Sequence, residues 1–264
     1  PPPPPASMAV SPMQDPSGGS SLKVIEAVKE GWQAFARAPW VFIGFTLLAG
    51  VLSSLCSLIQ GQVDPEAADA ITTLQMVRLV LGSILSVLVS LWSTTGLVRG
   101  AWSALAGGRP DLRTFIRWDG QASWRLFRNG LVLGILFAVV LVVAALVGVA
   151  AAQLNQVLAV LPFLVAFAML IYLAVNQKFM AQIALLQGLG PIESITRGRT
   201  LLDPQWGSVL LLALVEFAIA LLGLLACFVG LLVAVPVILC TSTAAYRQVF
   251  GSEDLTGLLV EPAA

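Results

Sequence analysis

The chain has 264 residues, of which 58% are hydrophobic and only 11% charged, against about 45–50% apolar and about 25% charged residues in a soluble domain. That balance excludes an ordinary soluble fold and points to an integral membrane protein. Fourteen basic and fourteen acidic residues cancel, which removes any bulk attraction to nucleic acid and leaves the placement of the charges as the informative quantity.

Residues 1–21, "PPPPPASMAVSPMQDPSGGSS", lack the apolar surface needed to offset the entropy of ordering and are expected to form a disordered tail. They show neither the basic start nor the apolar middle of a secretory signal. The next segment, "IEAVKEGWQAFARAPW", spaces Ile25, Val28, Trp32, Phe35 and Ala36 as one apolar stripe opposite Lys23, Glu26, Glu30 and Arg37. It is expected to lie flat in the headgroup region, as are "LRTFIRWDGQASWRLFRNG" and "PIESITRGRTLLDPQWG" further on. Trp32, Trp40, Trp124 and Trp206, with Arg125 and Arg128, are the expected interfacial anchors of these segments.

Six apolar runs, at 40–60, 78–98, 130–151, 157–177, 207–226 and 229–247, each approach the roughly 20 residues that a helix needs to cross a hydrocarbon core about 30 Å thick. The fold class expected is therefore an all-α integral membrane protein of six transmembrane helices in three hairpins, each hairpin preceded by an amphipathic interfacial helix. The last two runs are nearly continuous and are divided at "ACFVG", where Gly230 permits a turn. Pro162 and Pro236 interrupt the fourth and sixth runs and read as kinks. On the third, Ala144, Gly148 and Ala152 recur every fourth residue, the small-residue spacing at which membrane helices pack closely.

All basic residues except Arg78 fall in the termini and the loops on one side of this arrangement, so the positive-inside rule puts both termini in the cytoplasm. The membrane expected is the bacterial cytoplasmic membrane, or a thylakoid in a phototroph. Cys56, Cys227 and Cys240 stand singly in apolar runs and read as small hydrophobes, although Cys56 and Cys227 fall near the same membrane side and leave a disulfide open.

The segments before the first, third and fifth spans also look like copies. Trp32–Gln33–Ala34–Phe35 aligns with Trp124–Arg125–Leu126–Phe127, and Ile25–Glu26 with Ile192–Glu193, which brings Phe35 over Leu202. Repeats over 22–99, 112–178 and 190–250 are expected, within a membrane domain of 22–251 followed by a short tail at 252–264.

With "GPIESITRGRTLL" ahead of the fifth span, a tryptophan at its entrance and "TAAYRQVFG" at the exit of the sixth, residues 22–251 resemble uncharacterised bacterial six-span membrane proteins whose domain is also fused to some glycerophosphodiester phosphodiesterases. The resemblance implies architecture more than activity. The hydrolase chemistry of those fusions resides in a separate soluble barrel with histidine and a carboxylate metal site, and this chain has no histidine. The cytoplasmic acids Asp111, Asp119, Glu193 and Asp203 lack the clustering that a metal requires. No P-loop, nucleophile elbow or dinucleotide glycine pattern occurs. A non-enzymatic protein without metal or cofactor is expected.

One residue stands apart. Glu216, in "LLALVEFAIALLGLL", lies near the middle of the fifth span, where a carboxylate costs on the order of 2.5–3.5 kcal/mol on insertion scales. With no lysine or arginine assigned to that depth, its expected partners are neutral: Ser83, Ser86 and Ser90, or Thr46 and Ser53. It is then expected to be protonated, and Gln to replace it silently. Two functional readings follow. The first is a membrane scaffold or accessory subunit whose partners are lipids and other integral membrane proteins or further copies of itself; the alternative is a small transporter or lipid-handling protein that uses Glu216.

Overall fold

The computed structural model describes residues 21–61, 73–226 and 229–259. The expected tail, the loop carrying Ala67, Cys227 and the last five residues lie outside that description. The described chain is all-helical: α1 (Val24–Arg37), α2 (Pro39–Gln60), α3 (Thr73–Leu105), α4 (Leu112–Ile116), α5 (Gly120–Ala152), α6 (Val160–Asn176), α7 (Met180–Gln182, continued by a π-helical turn, Ile183–Gln187), α8 (Pro191–Leu202), α9 (Trp206–Leu225) and α10 (Leu231–Phe250). Five helical stretches are long and apolar enough to cross a membrane, and six if α6 and the α7 segment form one bent span. The protein is thus a multi-pass helical membrane protein.

Along the chain, α2 packs on α3, α5 on α6 and α9 on α10. Close approach is made where a glycine removes a side chain. A Cβ on Gly82 would meet the α2 backbone at Gln60 within 2.9 Å, and one on Gly148 would meet the Phe163 ring of α6 at 2.8 Å. Ala144 is buried on the same face as Gly148, whereas Ala152 is exposed.

Packing concentrates at one end, called the base below. It holds the C-terminal third of α3, most of α10, the first turns of α2, α5 and α9, and α1, α4, α7 and α8. An aromatic cluster knits part of it: Phe115 of α4 lies 5.0 Å from the Phe42 ring and 5.2 Å from the Phe45 ring, over Gly96 and Gly100 of α3. Tyr246 and Phe250 stack at 4.9 Å with Phe179 edge-on to both.

Several expectations change here. Helix α1 packs chiefly along α10, and its buried face is Val24, Ala27, Gly31, Ala34 and Phe35, while Ile25 and Trp32 point outward. The small residues decide this: a Cβ on Gly31 would lie 2.5 Å from the Thr241 backbone, so the two helices nearly touch, and dispersion contact outweighs the apolar stripe. No separate interfacial helix precedes the third span. The segment forms the short α4, capped by Asp111, and then a 33-residue α5 whose first turn is capped by the Asp119 carboxylate. Pro162 falls in the first turn of α6, where the missing N–H removes no helical bond, so it makes no kink. The chain bends instead by 44° between α6 and α7, at Gln177–Phe179, without a proline.

A buried ion pair at a broken span

The break between α6 and α7 carries three consecutive polar residues, Asn176–Gln177–Lys178, inside the packed base. Each is used. Asn176 Nδ2 donates to Asp203 Oδ1 at 2.7 Å, and Gln177 Nε2 to the Ile195 carbonyl at 3.3 Å. Lys178 Nζ donates to Glu216 Oε2, forming an ion pair with a carboxylate side chain only 4% exposed. One helical turn on, Gln182 Nε2 donates to Ser242 Oγ on α10 at 3.3 Å. The break and α7 are therefore tied to α8, α9 and α10 through side chains.

This overturns the expected surroundings of Glu216. Its partner is a cation, Lys178, and the serines and threonines of the first two spans are not its hydrogen-bond partners. Lys178 belongs by sequence to a loop, but its long stem carries the ammonium from the break to the carboxylate. Glu216 Oε1 has no partner and is buried, as are Gln182 Oε1 and Thr241 Oγ1. Polar capacity thus exceeds the bonds made.

Asn129 of α5 donates to Ser194 Oγ at 3.1 Å and to the Leu189 carbonyl at 3.2 Å, which fixes α8 against α5. Arg99, at the base end of α3, is 2% exposed and bonds three backbone carbonyls, those of Thr114, Arg117 and Leu258. Neither Arg99 nor Lys178 was singled out from sequence as a buried charge. A signal existed for Lys178: "NQK" is followed at once by the apolar "FMAQIALL", so it interrupts an apolar run rather than ending one.

Of the expected anchors, Trp32, Trp40 and Trp124 are exposed, Trp40 most of all at 82%. Trp206 instead packs against the base core. Arg128 is exposed, and Arg125 is half-buried with its guanidinium beside Gly188. In the aligned motifs the Trp32 and Phe35 rings are tilted by 42° and the Trp124 and Phe127 rings stack at 30°, each pair with centroids 5.7 Å apart. Phe35 and Leu202 are both buried, but in different parts of the core. Cys56 is a free, buried thiol.

The site defines a membrane protein with a polar, ion-paired base under apolar helices. Compared with known proteins, the chain matches no family model, no curated protein and no solved structure.

Proposed function

We propose that the chain is a non-enzymatic membrane scaffold or accessory subunit that docks other integral membrane proteins, or further copies of itself, through the outer faces of its spans. The observation that supports this most directly is a contrast among glycines. Gly82 and Gly148 lie under a neighbouring helix, whereas Gly130 and Gly134, one turn apart on α5, have no atom within 4 Å of where a Cβ would stand. Lipid supplies no hydrophobic drive between helices, so membrane helices associate by close packing over small residues. The open Gly130–Gly134 step offers such a surface. The resemblance to six-span bacterial membrane proteins accords with this reading.

The base then faces the cytoplasm of a bacterial cell, because Arg109, Arg113, Arg125, Arg128, Arg197 and Arg199 all belong to it or its loops. A cysteine introduced at Ser252 reacts with an impermeant label only from the cytoplasm, and one at Ala67 only from the opposite side. Labelling of both from one side removes the three-hairpin topology. The docking reading is tested by mild-detergent purification and in-membrane cross-linking of the wild type and of a Gly130→Leu/Gly134→Leu variant. A defined companion or oligomer that the variant loses is expected; a wild type that is monomeric and without companions overturns the scaffold.

A second reading, transport or lipid handling at Glu216, draws support from the Lys178–Glu216 pair at a broken span, since broken helices and intramembrane charges recur where solutes bind. Proton-dependent flux in reconstituted vesicles that Glu216→Gln abolishes, with insertion and companions unchanged, would favour it over the scaffold.

A further inference from the structure

Helix α4 is short, yet it is fixed firmly against the base end of α3. The chain reverses after α3 at Gly107, whose φ of +94° suits glycine, and Gly108 N–H donates to the Ser103 carbonyl at 3.1 Å. Phe115 then lies over Gly96 and Gly100, Arg99 Nη1 donates to the Thr114 and Arg117 carbonyls, and Trp92 Nε1 donates to the Ile116 carbonyl at 2.9 Å. These contacts step from Ser103 of α3 back to Trp92, so α4 climbs beside α3 toward the span. Arg109 stands outermost, Arg113 further in and Ile116 deepest.

That climb sorts the exposed side chains by depth. Leu112 and Ile116 share one face of α4, each 42% exposed, while Phe115 on the opposite face fills the core. Arg109 and Arg113 are exposed beside them. Arg37, at the end of α1, joins the same turn: its guanidinium donates to the Ala104 carbonyl and lies 3.8 Å from where a Cβ on Gly107 would stand. Trp40, just beyond Arg37, and Trp118, just beyond Ile116, are exposed as well.

Anions are short on this ledge. Asp111 caps α4 by accepting from Leu112 N–H at 2.7 Å, and Asp119 caps α5 and pairs with Arg99. Neither carboxylate is within ion-pairing distance of Arg109 or Arg113, whose side chains bond to nothing among the described residues. Water solvates an exposed arginine well, but it gives no reason to hold Leu112, Ile116 and Trp118 outward. A bilayer leaflet satisfies both halves, with acyl chains on the apolar residues and negative headgroups at the arginines.

We propose that this ledge, with Arg37, Arg109 and Arg113 on its outer edge and Leu112 and Ile116 on its inner one, binds anionic phospholipid in preference to zwitterionic phospholipid. Each guanidinium offers a fork to phosphate oxygens, and the clamped α4 holds Arg113 at the height of the headgroup. The inference is independent of the scaffold reading, which concerns the outer faces of the spans, and of Glu216.

Full-length protein in detergent is titrated with phosphatidylglycerol and with phosphatidylcholine of the same acyl chains, and bound lipid is counted by native mass spectrometry. Phosphatidylglycerol is expected to be retained over phosphatidylcholine. A basic residue at the membrane surface contributes roughly fivefold to anionic-lipid affinity, so Arg109→Gln with Arg113→Gln lowers the preference about twenty-five-fold. Arg113→Lys, which keeps the charge, keeps most of it. Thermal stability of the double variant stays that of the wild type, because neither side chain bonds within the protein. Arg37 is left unchanged, since it also holds the Ala104 carbonyl. Arg199→Gln is the control: that arginine already faces Asp203 at 4.0 Å, and the preference stays as it was. Equal retention of the two lipids by the wild type overturns the proposal, and so does a preference that survives in the double variant or falls as far in Arg199→Gln. A wild type that holds an acidic protein through Arg109 and Arg113, and no lipid, overturns it too.

Discussion

Helices α3 and α10 are both spans, yet α10 buries 61% of its most apolar stretch inside the protein and α3 only 6%. The difference follows the base. Helix α10 is sandwiched by α1, α3 and α9 over most of its length, whereas α3 is packed only from Thr95 onward and, ahead of that, has α2 as its main neighbour. In water the exposed leucines and valines of α3 would force collapse, but in lipid their exposure costs nothing, so nothing drives the far ends of the spans together. Specific order at the base has to come from other forces: small residues that let backbones touch, aromatic rings that fill volume, and polar groups that lose their partners if the elements separate.

That contrast can be broken at several points, and the largest effect is expected at the aromatic cluster. Phe115→Ala removes a fully buried ring wedged between α2 and α3 and should cost about 3–5 kcal/mol, read as a marked drop in thermal stability in detergent. A drop no larger than that of a span residue would mean that the base is not the stabilising layer.

Next in size is the ion pair. Glu216→Gln leaves Lys178 with a neutral partner in a site where the lysine is only 24% exposed, and a loss of about 1–3 kcal/mol is expected because a charge is left poorly matched. Replacing both partners, Glu216→Leu with Lys178→Met, should recover most of that loss, since well-packed apolar residues often equal a buried pair. A Gln variant as stable as the wild type would return Glu216 to the neutral surroundings that its sequence context suggests.

A smaller but sharper test compares two glycines. Gly31→Ala forces α1 away from the Thr241 backbone, and overpacking of this kind typically costs about 1–3 kcal/mol. Gly134→Ala adds a methyl where nothing lies within 4 Å, so the isolated chain should be unchanged or slightly more stable, as alanine is the better helix former by up to about 1 kcal/mol. Destabilisation by Gly134→Ala that appears only in the native membrane would identify a docked helix. Smallest of all, Leu146→Ala on α5, 67% exposed, should shift stability by less than about 0.5 kcal/mol.

The amino-acid sequence by itself determines the helical class, the existence of the long apolar helices and most of their limits, because composition and run length are local quantities that a bilayer reads directly. It places α2 within a residue of its expected limits and α9 likewise. It marks Glu216 as anomalous for the same reason. Only the tertiary structure decides how those helices meet. Whether Trp32 or Gly31 faces inward on α1 depends on how closely α10 can come, and Thr241, 210 residues away, sets that. The fate of Lys178 turns on a bend that no proline announces, and that of Arg99 on a strap folded back from the other end of the chain. Local pattern records what a residue costs to bury; which partner offsets the cost is a contact distant in sequence, and its geometry exists only once the chain has folded.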